Sequence, residues 1–201
     1  MTAPPGQTLV GRSVPRREDR PLLTGAAQFV ADLELAGMGH VAFLRSPAAH
    51  ARIGAVDARA ARSMSGVRAV FTAADVPLGA LHPAVENPDA YSPPRPLLAE
   101  GRTRFVGEPV AVVVADDAYT AEDAAEAVEL DLEPLDPVVD PEAACRPDAV
   151  ELHDGHPNVL YDHSFDAGDV DGALARAAVV VEREFHNPRY SATPMEGRGL
   201  V

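Results

Sequence analysis

The sequence contains no lysine and no tryptophan, and only one cysteine, and each scarcity closes off a class of chemistry. Without lysine there is no Schiff-base nucleophile, no phosphate-loop lysine and no lysine base. All 17 basic residues are arginine, which reads as a GC-rich coding bias more than a functional choice. A lone Cys145 supports neither a disulfide framework nor a multi-cysteine zinc site. Aromatic residues make up 5% of the chain, so a core has to rest mainly on Val, Leu and Ala. A basic stripe is also lacking. With a net charge of −14 the chain has nothing to neutralise phosphates, so no nucleic-acid partner is expected. Met1 to Val10 shows no charged-then-apolar targeting pattern. No apolar run approaches the ~18–20 residues of a membrane span. The expectation is a soluble cytoplasmic protein with no membrane partner.

What is present is ordinary for a globular protein: 46% apolar and 24% charged residues over 201 positions. That length suits one large domain or two small ones, with roughly 70% of the unfolded surface buried on folding.

Residues 1–18 mix proline, glycine and charge and read as an arm without a core of its own. Arg16 to Pro21 leads into a turn at Leu22-Leu23-Thr24-Gly25, and Phe29 to Asp32 reads as a short extended piece. Alternating apolar residues predict strands over 40–46 and 51–57. A short helix over 58–64 follows, capped by Asp57 and ended by Gly66, then a third strand over 67–71. Thr72 to Val76 reads as a turn or a single helical turn. Six prolines, Pro77, Pro83, Pro88, Pro93, Pro94 and Pro96, forbid regular structure over 77–98. Long ordered loops of this kind are often functional. The span 104–115 is the strongest strand signal. Its run Val110 to Ala115 is apolar on both faces, as a central strand requires. Asp116-Asp117 then offer a cap for a helix over 118–128, with Ala121, Ala124, Ala125 and Val128 on one face. An edge strand over 129–133 is broken by Pro134 and Pro137. Beyond a boundary near Asp136 to Asp140 the texture changes. A helical turn at 141–144 and a loop over 146–158 come first. An extended piece over 159–165, a helix over 169–177 capped by Asp169 and a strand over 179–185 follow.

The chain holds no Gly-Lys-Ser/Thr loop, GxSxG elbow, HExxH or dinucleotide fingerprint. His153-Asp154-Gly155-His156 has metal-ligand chemistry, but no third and fourth ligand are indicated, which favours a hydrophilic loop before Pro157. Cys145 would need a nearby cation or helix N-terminus to become reactive. Arg146 adjoins it, but acidic neighbours dominate, which favours a buried or incidental thiol. Glu108, between Gly107 and Pro109 at the start of the strongest strand, reads as a surface carboxylate or as a contact to a neighbouring domain.

Taken in order, several segments resemble the molybdopterin-binding large subunit of the xanthine dehydrogenase and aldehyde oxidase family, with the nearest likeness to its carbon-monoxide-dehydrogenase-like branch. They are Arg16 to Gly25, Gln28 to Asp32, Met38 to Arg52, Arg104 to Ala115, Ala121 to Leu135, Val139 to Ala144 and Pro194-Met195-Glu196. The resemblance implies an α+β fold: an N-terminal arm over 1–18, an α/β hammerhead domain over 19–136, and the incomplete start of a molybdenum-cofactor-binding domain over 137–201. It implies an oxidoreductase complex that oxidises or hydroxylates a small substrate at molybdenum. Such a complex has FAD and iron–sulfur subunits, and a further polypeptide would supply the rest of the cofactor domain. No position matches the family's cofactor loops or its active-site glutamate. No catalytic residue and no metal ligand is therefore assigned, and the cofactor-binding residues are left open. The isolated chain is expected to bind no molybdenum–molybdopterin cofactor and to be inactive. Alternatively the chain is a free-standing hammerhead interaction or assembly module without redox activity, or a non-functional gene remnant.

Overall fold

The computed structural model describes residues 10–77, 79–81, 87, 89–188, 190–194 and 196–201. Met1 to Leu9, Pro83, Pro88, Arg189 and Met195, which figure in the sequence reading, lie outside the described residues. The chain divides into two compact units, 37–180 and the combination of 1–36 with 181–201.

The larger unit is built from two three-stranded antiparallel sheets. The first uses β1 (His40–Arg45), β3 (Val67–Thr72) and β5 (Pro109–Ala115), in the order β1-β5-β3. The second uses β2 (Ala51–Asp57), β4 (Arg102–Thr103) and β6 (Glu129–Pro134), in the order β4-β2-β6. The expected central strand is central: β5 pairs with β1 on one side and β3 on the other. Neighbours flank it on both edges, and helices cover one of its faces. Val113 is fully buried, opposite Ala42 and Val70.

Two helices complete this core. They are α2 (Arg59–Ser63) and α3 (Ala118–Glu126). Asp117 caps α3 as expected, its Oδ1 accepting from the Thr120 amide at 3.0 Å. The buried face of α3 and the residues just after it is Ala121, Ala124, Ala125 and Val128. Small side chains there let the helix lie close on Val113 and Val70 in a single apolar cluster with Ala58 and Ala61. Gly66 adopts φ +85° between α2 and β3, a conformation that glycine enters without steric cost. Asp57 accepts from the Arg59 amide and also binds its guanidinium at 2.9 Å, so the expected cap is mainly an ion pair. Those bonds hold the Asp57 carboxyl down to about 2.

Where the chain departs from expectation, backbone partnering explains it. The strand expected from Arg104 begins at Pro109, because residues 104–108 close into a tight loop. Beyond Pro134 the chain forms α4 (Pro141–Ala144), with its N-cap at Asp140, and α5 (Val170–Arg176), with its N-cap at Asp169. Residues 159–165 are irregular, and so are 179–185, where a strand was expected. Among the described residues no strand pairs with either segment, and an unpaired strand has no ladder to hold it.

In the smaller unit, α1 (Asp19–Leu23) forms where only a turn was expected. The Phe29 to Asp32 piece is a 3₁₀ turn instead of an extended one. The Asp32 carboxylate reaches back to the Phe29 amide at 2.9 Å and bends the backbone. The Val30 amide donates to the Glu196 carboxylate at 2.7 Å. Among the described residues no helix is long and apolar enough to cross a membrane.

Candidate functional site

The region richest in polar chemistry lies where β4, the loop after it and the 150–158 segment converge. Glu108 organises the loop. It is 7% exposed, which corrects the surface reading, and its carboxylate accepts from the Arg104 amide at 2.5 Å. The Glu108 amide donates to the Phe105 carbonyl at 3.3 Å. Gly107 sits at φ +88°, and its amide donates to the Ser46 carbonyl at 2.8 Å. The Ser46 amide in turn donates to the Glu108 carbonyl at 2.9 Å. A carboxylate under this much cover is stable only when its oxygens find donors, and here a backbone amide of its own loop supplies one. The Ser46 hydroxyl, also buried, lies 3.2 Å from the Thr103 hydroxyl and ties the loop to β4.

Arg102 and Arg104 extend from this loop to the histidine segment. The Arg102 guanidinium pairs with Asp154 at 2.9 Å, and Arg104 Nε donates to the Leu152 carbonyl at 2.9 Å. His153 and His156 pair through their backbones across a turn in which Gly155 adopts φ +77°. The His156 ring stacks on Tyr91 at 3.8 Å, and the His153 ring meets Tyr91 edge-on at 6.5 Å. Burial pushes the His153 imidazole below its ordinary value. The adjacent Arg104 adds to this, and Asp154 opposes it. The two histidines thus serve aromatic packing against Tyr91, beside the Arg102–Asp154 ion pair. Among the described residues no three His, Cys, Asp or Glu side chains converge on a point that could hold a metal. Cys145 is exposed, not buried, with its thiol donating to the Pro141 carbonyl at 3.2 Å.

An open groove of about 600 Å³ runs beneath the proline-rich loop. Ala73, Val76, Pro94 and Leu98 give it an apolar floor, with Glu100 and Arg104 at its polar end. Such a lining offers neither glycine-rich backbone for phosphates nor a set of soft or imidazole ligands. This groove therefore does not fit a molybdenum–molybdopterin group.

His50 is the remaining buried polar side chain with a telling environment, at 4% exposure. Its Nδ1 lies 2.8 Å from the Asp136 carbonyl, which can only accept, so Nδ1 carries the proton. The Leu135 amide donates to the His50 carbonyl at 2.9 Å, so this residue clasps the end of β6 on both sides. His50 Nε2 is buried without a hydrogen-bond partner.

Sequence reasoning missed Tyr91, Arg102, Arg104 and His50 as members of these clusters. Tyr91 meets the two histidines, Arg102 meets Asp154 and Arg104 meets the Leu152 carbonyl across 48 or more positions, and no local pattern marks such a meeting.

The sequence and fold resemble those of known proteins. The model for the aldehyde oxidase and xanthine dehydrogenase a/b hammerhead domain matches residues 24–136. The nicotine 6-hydroxylase large subunit of Paenarthrobacter nicotinovorans is 40% identical over 200 residues, covering 97% of this chain and 24% of that protein. The carbon monoxide dehydrogenase large chain of Hydrogenophaga pseudoflava is 35% identical over 199 residues, covering 92% and 24% respectively. The solved aldehyde oxidoreductase of Desulfovibrio gigas superposes with a TM-score of 0.72 at 32% identity, over 82% of this chain and 19% of that one. The chain thus spans about a quarter of the length of the curated relatives it matches.

Proposed function

Because this chain belongs to the aldehyde oxidase and xanthine dehydrogenase hammerhead family, we propose that it serves as the hammerhead part of a molybdenum hydroxylase large subunit. In this reading the chain contributes scaffold and contact surface, and supplies no catalytic side chain. Oxidation or hydroxylation of a small substrate takes place at a molybdenum–molybdopterin centre held by the rest of the large-subunit fold. FAD and iron–sulfur subunits complete the electron path in the cytoplasm. Residues 19–136 form the hammerhead, residues 1–18 an arm, and residues 137–201 the beginning of the cofactor-binding region.

One observation carries this reading. Similarity to a hydroxylase large subunit does not stop at residue 136 but extends over 97% of the chain at 40% identity. A free-standing hammerhead module has no reason to keep the sequence texture of the region beyond its own domain. The buried Glu108 and the apolar groove also favour a structural role over a catalytic one, since neither offers a nucleophile or a matched acid–base pair.

The test is affinity purification of the tagged chain from its native cells, followed by molybdenum, iron and flavin analysis. We expect molybdenum, iron and flavin in fixed proportion to the chain. A stable complex containing none of the three would establish the assembly-module alternative instead.

A further inference from the structure

One face of the β1-β5-β3 sheet lies against α2 and α3; on the other, Val41, Phe43 and Phe71 are exposed. Register places Phe43 and Phe71 on either side of Val112, and Val41 and Ala69 on either side of Val114. All six flank or lie on β5 with their side chains away from the helices. Val41 is 55% exposed and Phe43 46% exposed. A contiguous apolar face of this kind marks an interaction surface more often than it marks free solvent contact.

The face continues beyond the sheet edge. The Arg45 guanidinium lies over the Phe43 ring at 5.2 Å and donates to the Gly107 carbonyl at 2.9 Å. Arg45 thereby joins the sheet to the loop tip at Phe105 and Val106, both more than half exposed. That tip is held in place: Glu108 accepts the Arg104 amide, the Gly107 amide donates to the Ser46 carbonyl, and Arg45 donates to the Gly107 carbonyl. Two exposed apolar side chains presented on a braced loop lose little freedom on binding. Phenylalanine and arginine are also among the residues enriched in protein interfaces.

We propose that this surface, Val41, Phe43, Arg45 and Phe71 with the Phe105–Val106 tip, docks the remainder of the molybdenum hydroxylase large-subunit fold. The inference rests on the function proposed above and names the surface through which it is exercised. Two observations select this occupant. About three quarters of each curated relative's length lies outside the part this chain matches, so a large body of the same subunit is available to cover the face. A second copy of the chain is a poor alternative. Each copy carries a net charge of −14, and a two-fold contact centred on Arg45 sets two guanidiniums face to face.

The experiment combines the tagged chain with the polypeptide carrying the remaining large-subunit sequence, co-expressed, and measures the dissociation constant by sedimentation velocity. Phe43→Asp and Phe105→Asp are compared with Tyr119→Asp, on the exposed side of α3. Thermal melting of each isolated variant separates a folding defect from a binding defect, and Phe105 on its loop is the safer of the two. We expect the dissociation constant to rise at least tenfold for both patch variants and to stay within twofold for Tyr119→Asp. If the wild-type complex forms and the folded patch variants bind as tightly as it does, the docking surface is wrong while the proposed function stands. If the wild-type chain binds no such polypeptide, the proposed function fails and takes this inference with it. A self-dimer of the wild-type chain that Phe43→Asp dissolves would also overturn the proposal, in favour of a copy-to-copy contact.

Discussion

Val113→Ala tests the account of the core most directly. Val113 is fully buried on β5 between Ala42 and Val70 and touches the α3 side of the apolar cluster. The substitution removes two carbons, worth about 0.8 kcal/mol each in transfer from water. The flanking residues are mostly alanine and valine already, so they have little side chain with which to fill the gap. A further contribution for the residual cavity brings the total to about 2–3 kcal/mol. For a unit of this size that corresponds to a fall in melting temperature of about 4–12 °C. Val180→Ala is the matched control: Val180 is 60% exposed, and its truncation should change stability by less than about 0.5 kcal/mol. Urea denaturation followed by far-UV circular dichroism reads both. A loss below about 0.5 kcal/mol for Val113→Ala, or an equal loss for Val180→Ala, would refute the assignment of β5 as the centre of the core.

Other outcomes follow from the loops. Glu108→Ala leaves the Arg104 amide without its acceptor and should cost about 1–3 kcal/mol, whereas Glu108→Gln keeps an acceptor oxygen and should recover at least half of that in the same denaturation assay. His153 titrates below its ordinary value of 6.5 in the folded chain, so its contribution to stability is complete above that value and is lost as pH falls through the folded-state midpoint. An NMR titration should give that lower midpoint for His153, and a midpoint at or above 6.5 would contradict the burial of its ring. Limited trypsin digestion of the isolated chain should cut at Arg176 and Arg183 well before Arg62 or Arg104. The region 141–201 is thus expected to be less protected than 19–136, because α5 buries no residue and 179–185 is exposed and irregular. Equal rates at all four arginines would contradict this.

The comparison of two identical tripeptides shows how much of the fold was legible in the sequence. Val112-Val113-Val114 and Val179-Val180-Val181 carry the same strand propensity, and both read as strands. The first run is a central strand because β1 and β3 offer ladders on both sides; the second has no partner strand among the described residues and stays irregular. Propensity describes what a segment fits, but pairing decides whether it forms. Helix positions were more legible, since the caps at Asp117, Asp140 and Asp169 are local side-chain-to-backbone contacts written within three residues. Glu108 was singled out, yet its burial was not visible, because the cover comes from a loop closed by its own carboxylate. The stacking of Tyr91 on His156 depends on bringing together positions more than sixty residues apart, and no window on the sequence contains both.

The sheet orders also govern when this chain can fold as it is made. None of the first three strands pairs with another: β1 and β3 both wait for β5, and β2 has only β4 and β6 as neighbours. His40 pairs with Ala115, and Ala51 with Pro134, so the ladders join residues some eighty positions apart. At translation rates of about 5–20 residues per second, β1 leaves the ribosome several seconds, roughly 4–14 s, before its partner has been synthesised. Throughout that interval Val41, Phe43 and Leu44 are unpaired apolar strand residues on a nascent chain. The hammerhead is therefore a late-closing fold dominated by distant contacts, slow by topology. A chaperone that holds extended apolar segments should engage this chain chiefly before β5 appears and release it once residue 134 has emerged.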